Sequence, residues 1–369
     1  MFKSIKLRLY PNKGQRCLID QILGCCRLIY NKGLNKRKED YENGVKTGYN
    51  QTRKMLTELK KTKGYEFLKQ ADSVALQASL RDLDRAYTNF FEKRAGYPNF
   101  KSKHSHRQSY RTLNVNNGRS IRIEGKHLKL PKLGLVKIRQ TVKNANIRFA
   151  TVEKAPSGKY FVVLTVKFEP KPLPNKGGQV GIDVGIKHYY TDSNGTVVEN
   201  PKNLKNSLKK LARAQRSLSR KTVTSRNFEK QRVKVALIYE KVTNRRTDFL
   251  QKLSSALISD NQVICIEDLK IKNMVKNRRL AREISDAAWG MFRQLLEYKS
   301  IWYGNDLVVI PSSYPSSQLC SACGFKNPEV KNLAIRKWTC PQCEQVHDRD
   351  YNASVNILQC GLQQLATMP

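Results

Sequence analysis

The chain has 369 residues, 69 Lys and Arg against 30 Asp and Glu, a formal net charge of +39 and a sequence pI near 10.0. That length suffices for two or three domains with their own cores, and so large a positive excess points to a polyanionic partner. No apolar run approaches the roughly eighteen residues of a spanning helix, the opening MFKSIKLRLYPNK does not read as a signal peptide, and nine cysteines without a secreted-disulfide pattern fit a reducing cytoplasm, so nucleic acid is expected rather than a membrane.

Phe2, Ile5, Leu7 and Leu9 among basic residues predict a strand over residues 1–10, ended by Pro11-Asn12. A helix follows with Leu18, Ile22, Cys25, Cys26 and Ile29 on one face, its charged end from Lys36 to Asp40 expected in solvent, and Asn43-Gly44 as the next turn. A second helix is expected over Gln51–Lys61. A third starts at the N-caps Asp72-Ser73 and carries Leu76, Leu80, Leu83, Tyr87 and Phe90 on one seam. From about residue 105 to Phe168 the period changes to two, with turn signals at Asn116-Asn117-Gly118, Glu124-Gly125, Leu133-Gly134 and Ser157-Gly158. These short strands and the N-terminal one predict a small barrel with the helices inserted, followed by a linker at Lys171-Pro172-Leu173-Pro174.

Residues 179–186 read as a strand in which Ile182 and Val184 share one face and Asp183 lies on the other, between glycines (Gly181, Gly185) expected to admit a ligand or phosphate backbone. Asp192-Ser193-Asn194-Gly195 is expected to fold this strand into a hairpin. Residues 201–260 predict a long helical pair dense in Lys209, Lys210, Arg213, Arg216, Arg220, Lys221, Arg245 and Arg246. The lack of acidic residues between Lys202 and Arg226 favours a polyanion footprint over a merely solvated face. Gln262–Ile266 reads as a buried strand ending at Glu267-Asp268, followed by a basic loop over Lys270–Arg282. A helix then carries Trp289, Phe292, Leu296 and Tyr303, and Leu307–Ile310 is another strand. The last helix, after Asp350, should bury Val355, Leu358, Leu362 and Leu365 on one seam.

Cys320/Cys323 and Cys340/Cys343 are two Cys-x-x-Cys pairs with the spacing of tetrahedral Zn²⁺. A site closed by four cysteines has no open position, so this zinc is expected to be a structural staple. Asp183 in its strand, Glu267 at a strand end and Asp350 at a helix start could meet at one point and hold two hard cations. Such a pair suits phosphodiester hydrolysis. Periodicity leaves Asp348 and Asp350 open as alternatives, since either could cap the last helix.

Gly181-Ile182-Asp183-Val184-Gly185, Glu267 after its apolar strand, the Ser316–Gly324 segment SSQLCSACG, Cys340-Pro341-Gln342-Cys343 and Asp348-Arg349-Asp350-Tyr351-Asn352-Ala353 together resemble the TnpB (OrfB) family, transposon-encoded relatives of type V CRISPR effectors. Arg8-Leu9-Tyr10-Pro11 and the hairpin at Asn114–Asn117 extend the resemblance. It implies an α+β multidomain fold: a wedge β-barrel (1–10 and 104–172), an inserted helical recognition domain (11–103), and an RNase H-like RuvC nuclease domain (173–369) with a zinc-binding insert (314–347). It also implies an RNA-guided DNA endonuclease that carries a noncoding guide RNA from the transposon end. Such an enzyme reads a short target-adjacent motif and cuts double-stranded DNA in one RuvC site with two Mg²⁺ ions. By that resemblance the triad is Asp183, Glu267 and Asp350, which selects Asp350 over Asp348. Tyr49, Gln77 and Asn116 become candidates for reading the motif, since Gln and Asn can pair with adenine. Ser354 stands where alanine is common in the family, outside the triad. A monomeric ribonucleoprotein at the bacterial nucleoid is expected. An RNA-guided DNA-binding protein or repressor without cleavage is the alternative reading, and a strand-joining transposase the third.

Overall fold

The computed structural model describes residues 1–104, 108–115, 117–140, 142, 146–174 and 177–367. The chain forms two compact units, Met1–Glu169 and Pro170–Pro369. Among the described residues no helix is long and apolar enough to cross a membrane.

The first unit begins with β1 (Phe2–Tyr10), which buries Leu7 and Leu9. Asn12 then starts α1 (Lys13–Glu42): its Oδ1 accepts the Gln15 amide at 2.8 Å while Gln15 reaches back to the Asn12 amide, a reciprocal cap. The helices α2 (Tyr49–Leu59) and α3 (Ser73–Phe91) follow. Asp72 caps α3 through the Val74 amide at 3.0 Å, and its other oxygen accepts the Thr112 hydroxyl at 2.5 Å, tying the helix to the sheet. The strands are β2 (Gln108–Leu113), β3 (Arg122–Glu124), β4 (His127–Leu130), β5 (Gly134–Ile138), β6 (Ile147–Lys154) and β7 (Tyr160–Lys167), in the order β2-β6-β7-β1-β5-β4-β3. Sheet and helices share one core, in which Leu7, Val136, Val162 and Leu164 meet Ile22, Leu76 and Leu80. The outer strands β2 and β3 share no ladder among the described residues. Asn114 spans that gap: its Nδ2 donates to the Ile121 and Ile147 carbonyls, both at 2.9 Å, and its Oδ1 accepts the Ile121 amide at 2.8 Å. The charged end of α1 is not all in solvent, as the sequence had implied. Arg37 is buried, lies 4.8 Å from the Tyr87 ring centre and pairs with Asp84 at 2.5 Å, because a planar guanidinium can stack on an aromatic face while a carboxylate satisfies it.

The second unit holds a five-stranded sheet of β8 (Gln179–Val184), β9 (His188–Asp192), β10 (Val197–Glu199), β11 (Val263–Glu267) and β12 (Asp306–Ile310), in the order β10-β9-β8-β11-β12. β9 runs antiparallel to β8, and β11 runs parallel to both β8 and β12, as an RNase H-like domain requires. The helices α4 (Leu208–Ser219) and α5 (Arg226–Asp260) precede β11. α6 (Ile271–Met274), α7 (Ala281–Ala287) and α8 (Trp289–Tyr303) precede β12. The small pair β13 (Lys337–Thr339) and β14 (Val346–Asp348) leads into α9 (Arg349–Thr367). Three sequence expectations are corrected here. β8 turns back at residues 185–187, and Asp192–Gly195 is the next turn, fixed by Asp192 Oδ1 accepting the Asn194 and Thr196 amides. The segment from Lys270 to Arg282 is partly helical, through α6 and the start of α7.

The third correction concerns Gly181. A Cβ there would lie 2.6 Å from the Leu358 amide nitrogen and would also strike the Ser354 carbonyl, so the space is filled by α9 rather than kept for a ligand. One β11 residue is matched in the same way: a Cβ on Gly361 of α9 would sit 2.8 Å from Cys265 Cβ. The close approach is made by the backbone of α9 at Ser354 and Leu358 and by Gly361, with Ala353, Ser354 and Ile357 buried, while Leu358, Leu362 and Leu365 of the expected seam are only partly buried. Gly181→Ala should destabilise the second unit by about 3 kcal/mol, since overpacking here must displace backbone. Chemical denaturation of the full chain will measure it, and a loss of only a few tenths would refute this account of the packing.

Candidate active site and metal centre

The geometry of α9 decides what the sheet presents to it. Side chains alternate along a strand, so residues 181 and 183, like 265 and 267, share a face. Gly181 and Cys265 both meet α9. Asp183 and Glu267 therefore leave the ends of adjacent parallel strands on the same side, one step past the Ile182–Ile266 pair. The first turn of α9 carries Asp350 to that side. Asp348 caps the helix: its Oδ1 accepts the Asp350 and Tyr351 amides, both at 3.1 Å.

Burial pushes the Asp183 carboxyl well above the ordinary range, and the charges of Glu267 and Asp350 push it further, against the pull of Arg349 and Arg336. Glu267 is also raised by burial, opposed by the Ser316 hydroxyl, which donates to its Oε1 at 2.5 Å. Asp350 Oδ1 accepts from Arg336 Nη1 at 3.2 Å. Asp183 thus feels the charges of both other carboxylates, although the three do not lie close enough together in this structure to share one ion.

The Sγ atoms of Cys320, Cys323, Cys340 and Cys343 all lie within 4.8 Å of one another, and this is the one group of three or more His, Cys, Asp or Glu among the described residues close enough to share an ion. Sulfurs at about 2.3 Å from Zn²⁺ in a tetrahedron stand about 3.8 Å apart. The Cys320–Cys343 and Cys323–Cys340 separations are both 3.6 Å, and none of the four is in a disulfide. The two knuckles are built alike. Gly324 and Glu344 follow the second cysteine of each pair with φ of 77° and 59°, and their amides donate to the Cys320 and Cys340 carbonyls at 2.9 Å. Against the upward push of burial, backbone amides at Cys343 and Gln342 bring Cys340 down to about 7, which favours the thiolate.

Several residues to which the sequence assigned no role complete the site. His347 is buried, its Nε2 lies 3.0 Å from Cys320 Sγ, and its ring packs at 4.8 Å on Trp338. Burial lowers its pKa. Asn352 Nδ2 donates to the Leu319 carbonyl at 2.7 Å and its Oδ1 accepts the Ser321 amide at 2.9 Å. Asn356 Nδ2 donates to the Ser316 and Leu319 carbonyls at 2.8 and 2.7 Å. Arg349 Nη1 donates to the Asn332 carbonyl at 2.7 Å. Thus α9 grips the cysteine-bearing segment, and that segment returns Ser316 to Glu267. Ser316, Arg349 and Asn352 stood inside the quoted motifs, but their partners are set by the tertiary fold and no local pattern could have named them.

Of the motif-reading candidates, Tyr49 opens α2 and its hydroxyl accepts from Arg81 Nε at 3.2 Å, one turn beyond Gln77 on α3. Asn116 lies outside the described residues. On α4 and after it, Lys209, Lys210, Arg213, Arg216, Arg220 and Lys221 are exposed. Arg246 does not belong to that surface: it is paired with buried Asp286 at 2.7 Å, which also accepts the Leu204 amide at 2.8 Å.

Residues 161–278 match the OrfB_IS605 family, described as a probable transposase, and residues 289–357 match the TNB domain of Cas12f1-like proteins. Residues 1–46 match a helix-turn-helix domain of OrfB_IS605, although here they contain one strand and a single long helix. A Streptomyces pristinaespiralis protein described as a candidate RNA-guided DNA endonuclease is 41% identical over 98% of this chain and 89% of its own length. InsQ of Escherichia coli (strain K12), described in the same way, is 33% identical over 99% of this chain and 93% of its own. The solved structure of Cas12f1 with sgRNA and target DNA aligns with a TM-score of 0.59 over 97% of this chain and 98% of that one; at 12% identity the likeness is one of fold.

One equivalent of zinc should copurify with the protein, and Cys320→Ser should remove it and lower thermal stability. His347→Ala keeps all four sulfurs and should release the metal to a chelator about tenfold more readily. Elemental analysis finding no zinc in active protein would overturn the assignment of this centre.

Proposed function

This chain belongs to the TnpB (OrfB) family, and from that premise we propose that it is an RNA-guided DNA endonuclease cutting double-stranded DNA beside a short target-adjacent motif. What supports the chemistry is placement: Asp183 and Glu267 end adjacent parallel strands on the face that α9 covers, Asp350 sits in the first turn of that helix, and the charge of Asp350 reaches Asp183. Bound between these carboxylates, two Mg²⁺ ions would supply the Lewis acidity for phosphodiester hydrolysis. Asp183 and Glu267 act from rigid strand ends, and Asp350 from the first turn of a capped helix. Ser316 orients Glu267, and the cysteine centre holds Ser316 in place through the α9 asparagines. The domain roles follow the family: barrel over 1–10 and 104–172, recognition helices over 11–103, nuclease over 173–369 with its zinc insert at 314–347. Tyr49, Gln77 and Asn116 are assigned to the target-adjacent motif. The guide is a noncoding RNA from the transposon end, carried by one protein copy.

A +39 chain suits delegated recognition, in which base pairing reads sequence and the protein grips backbones. RNA should therefore copurify with the protein and be required for cutting a matched plasmid. Sequence-specific cutting by RNA-free protein would remove the guide from this reading.

Asp183→Ala, Glu267→Ala and Asp350→Ala should each abolish plasmid cleavage in Mg²⁺ while RNA and target binding persist in a gel shift, because binding rests on distributed cations and pairing. Asp348→Ala should cost about 1 kcal/mol of helix stability and keep measurable cleavage. Three triad variants that still cut would leave an RNA-guided binding protein without cleavage in this site.

A further inference from the structure

Arg336 stands at two sites at once. Its guanidinium donates to Asp350 Oδ1 at 3.2 Å, and it also lines a cleft of about 400 Å³ with Lys187, Lys202, Lys205 and Arg282. Two carboxylates lie in that cleft. Asp286 is already satisfied by Arg246 and the Leu204 amide, and Glu283 Oε2 is buried with no hydrogen-bond partner among the described residues, an acceptor without a donor. Leu280 and Leu333, 38% and 65% exposed, give the cleft an apolar side. Cations for phosphates beside an apolar wall for sugars and bases fit one unpaired nucleic-acid strand.

The Arg336–Asp350 bond is long, single and, on the arginine side, 52% exposed, which places it among the weak ion pairs. A phosphate offers the same guanidinium paired, charge-assisted bonds. We infer that Arg336 is a switch that couples entry of a DNA strand to cation binding. With the cleft empty it covers Asp350 Oδ1; a phosphate in the cleft draws it away and frees that oxygen for the hard cation. This rests on Asp350 being a cation ligand. By linkage, strand and cation then each strengthen the binding of the other.

The test uses the RNA-loaded full chain with Fe²⁺ in place of Mg²⁺, plus ascorbate and peroxide, so that polypeptide cuts near Asp183 and Glu267 report occupancy of this site alone. Without DNA, the unsubstituted protein should need about tenfold more Fe²⁺ than Arg336→Gln for half-maximal cutting, within the usual range of such couplings. A short unpaired DNA strand should bring the unsubstituted protein to the Arg336→Gln level and leave Arg336→Gln itself little changed. Arg336→Lys, which keeps the charge, should resemble the unsubstituted protein without DNA. Equal Fe²⁺ requirements for the unsubstituted protein and Arg336→Gln without DNA would overturn the switch. Local cutting that persists undiminished in Asp350→Ala would instead overturn the ligand assignment on which it rests.

Discussion

The second unit depends on one close approach, the backbone of α9 seated directly on β8 at Gly181. A helix at ordinary distance from a sheet leaves room for a layer of side chains. Here glycine on the strand and small residues on the helix remove that layer. The approach fixes which side of the sheet Asp183 and Glu267 share with Asp350, and it leaves α9 so near the strand ends that its first turn faces them. Packing thus sets the charge of Asp350 against a part-buried Asp183, a placement that electrostatics alone would disfavour.

The cysteine centre serves the same geometry from outside. Its knuckles make few apolar contacts beyond Val330, Trp338 and their neighbours, too small a core to hold shape unaided. What joins it to the nuclease sheet is polar and specific: Asn352, Asn356 and Arg349 on one side, Ser316 on the other. A disturbance of the cysteine cluster therefore reaches Glu267 through a short series of hydrogen bonds.

What the sequence revealed and what it hid separate by range. The strand at Val263–Glu267, the Asp72 cap and the Cys-x-x-Cys knuckles are local patterns, readable from period and spacing. The capping role of Asp348 was one of two local possibilities, and the amides it accepts decide it. Gly181 was misread because a glycine beside a carboxylate looks the same whether a ligand or the chain's own helix fills the space. Arg37 and Arg246 were read as surface charge because their partners, Asp84 and Asp286, are distant in sequence. His347 carried no spacing signal, since its ring acts on a sulfur already counted.

The dependence on α9 also has a consequence in time. A ribosome delivers β8 and β11 well before α9, and chains begin folding as they emerge. Until α9 docks, β8 and β11 carry only two of the three carboxylates, and the asparagine contacts that seat the cysteine segment are missing. On the proposed reading, a product that stops before α9 would keep its basic surfaces and lack a complete cutting site.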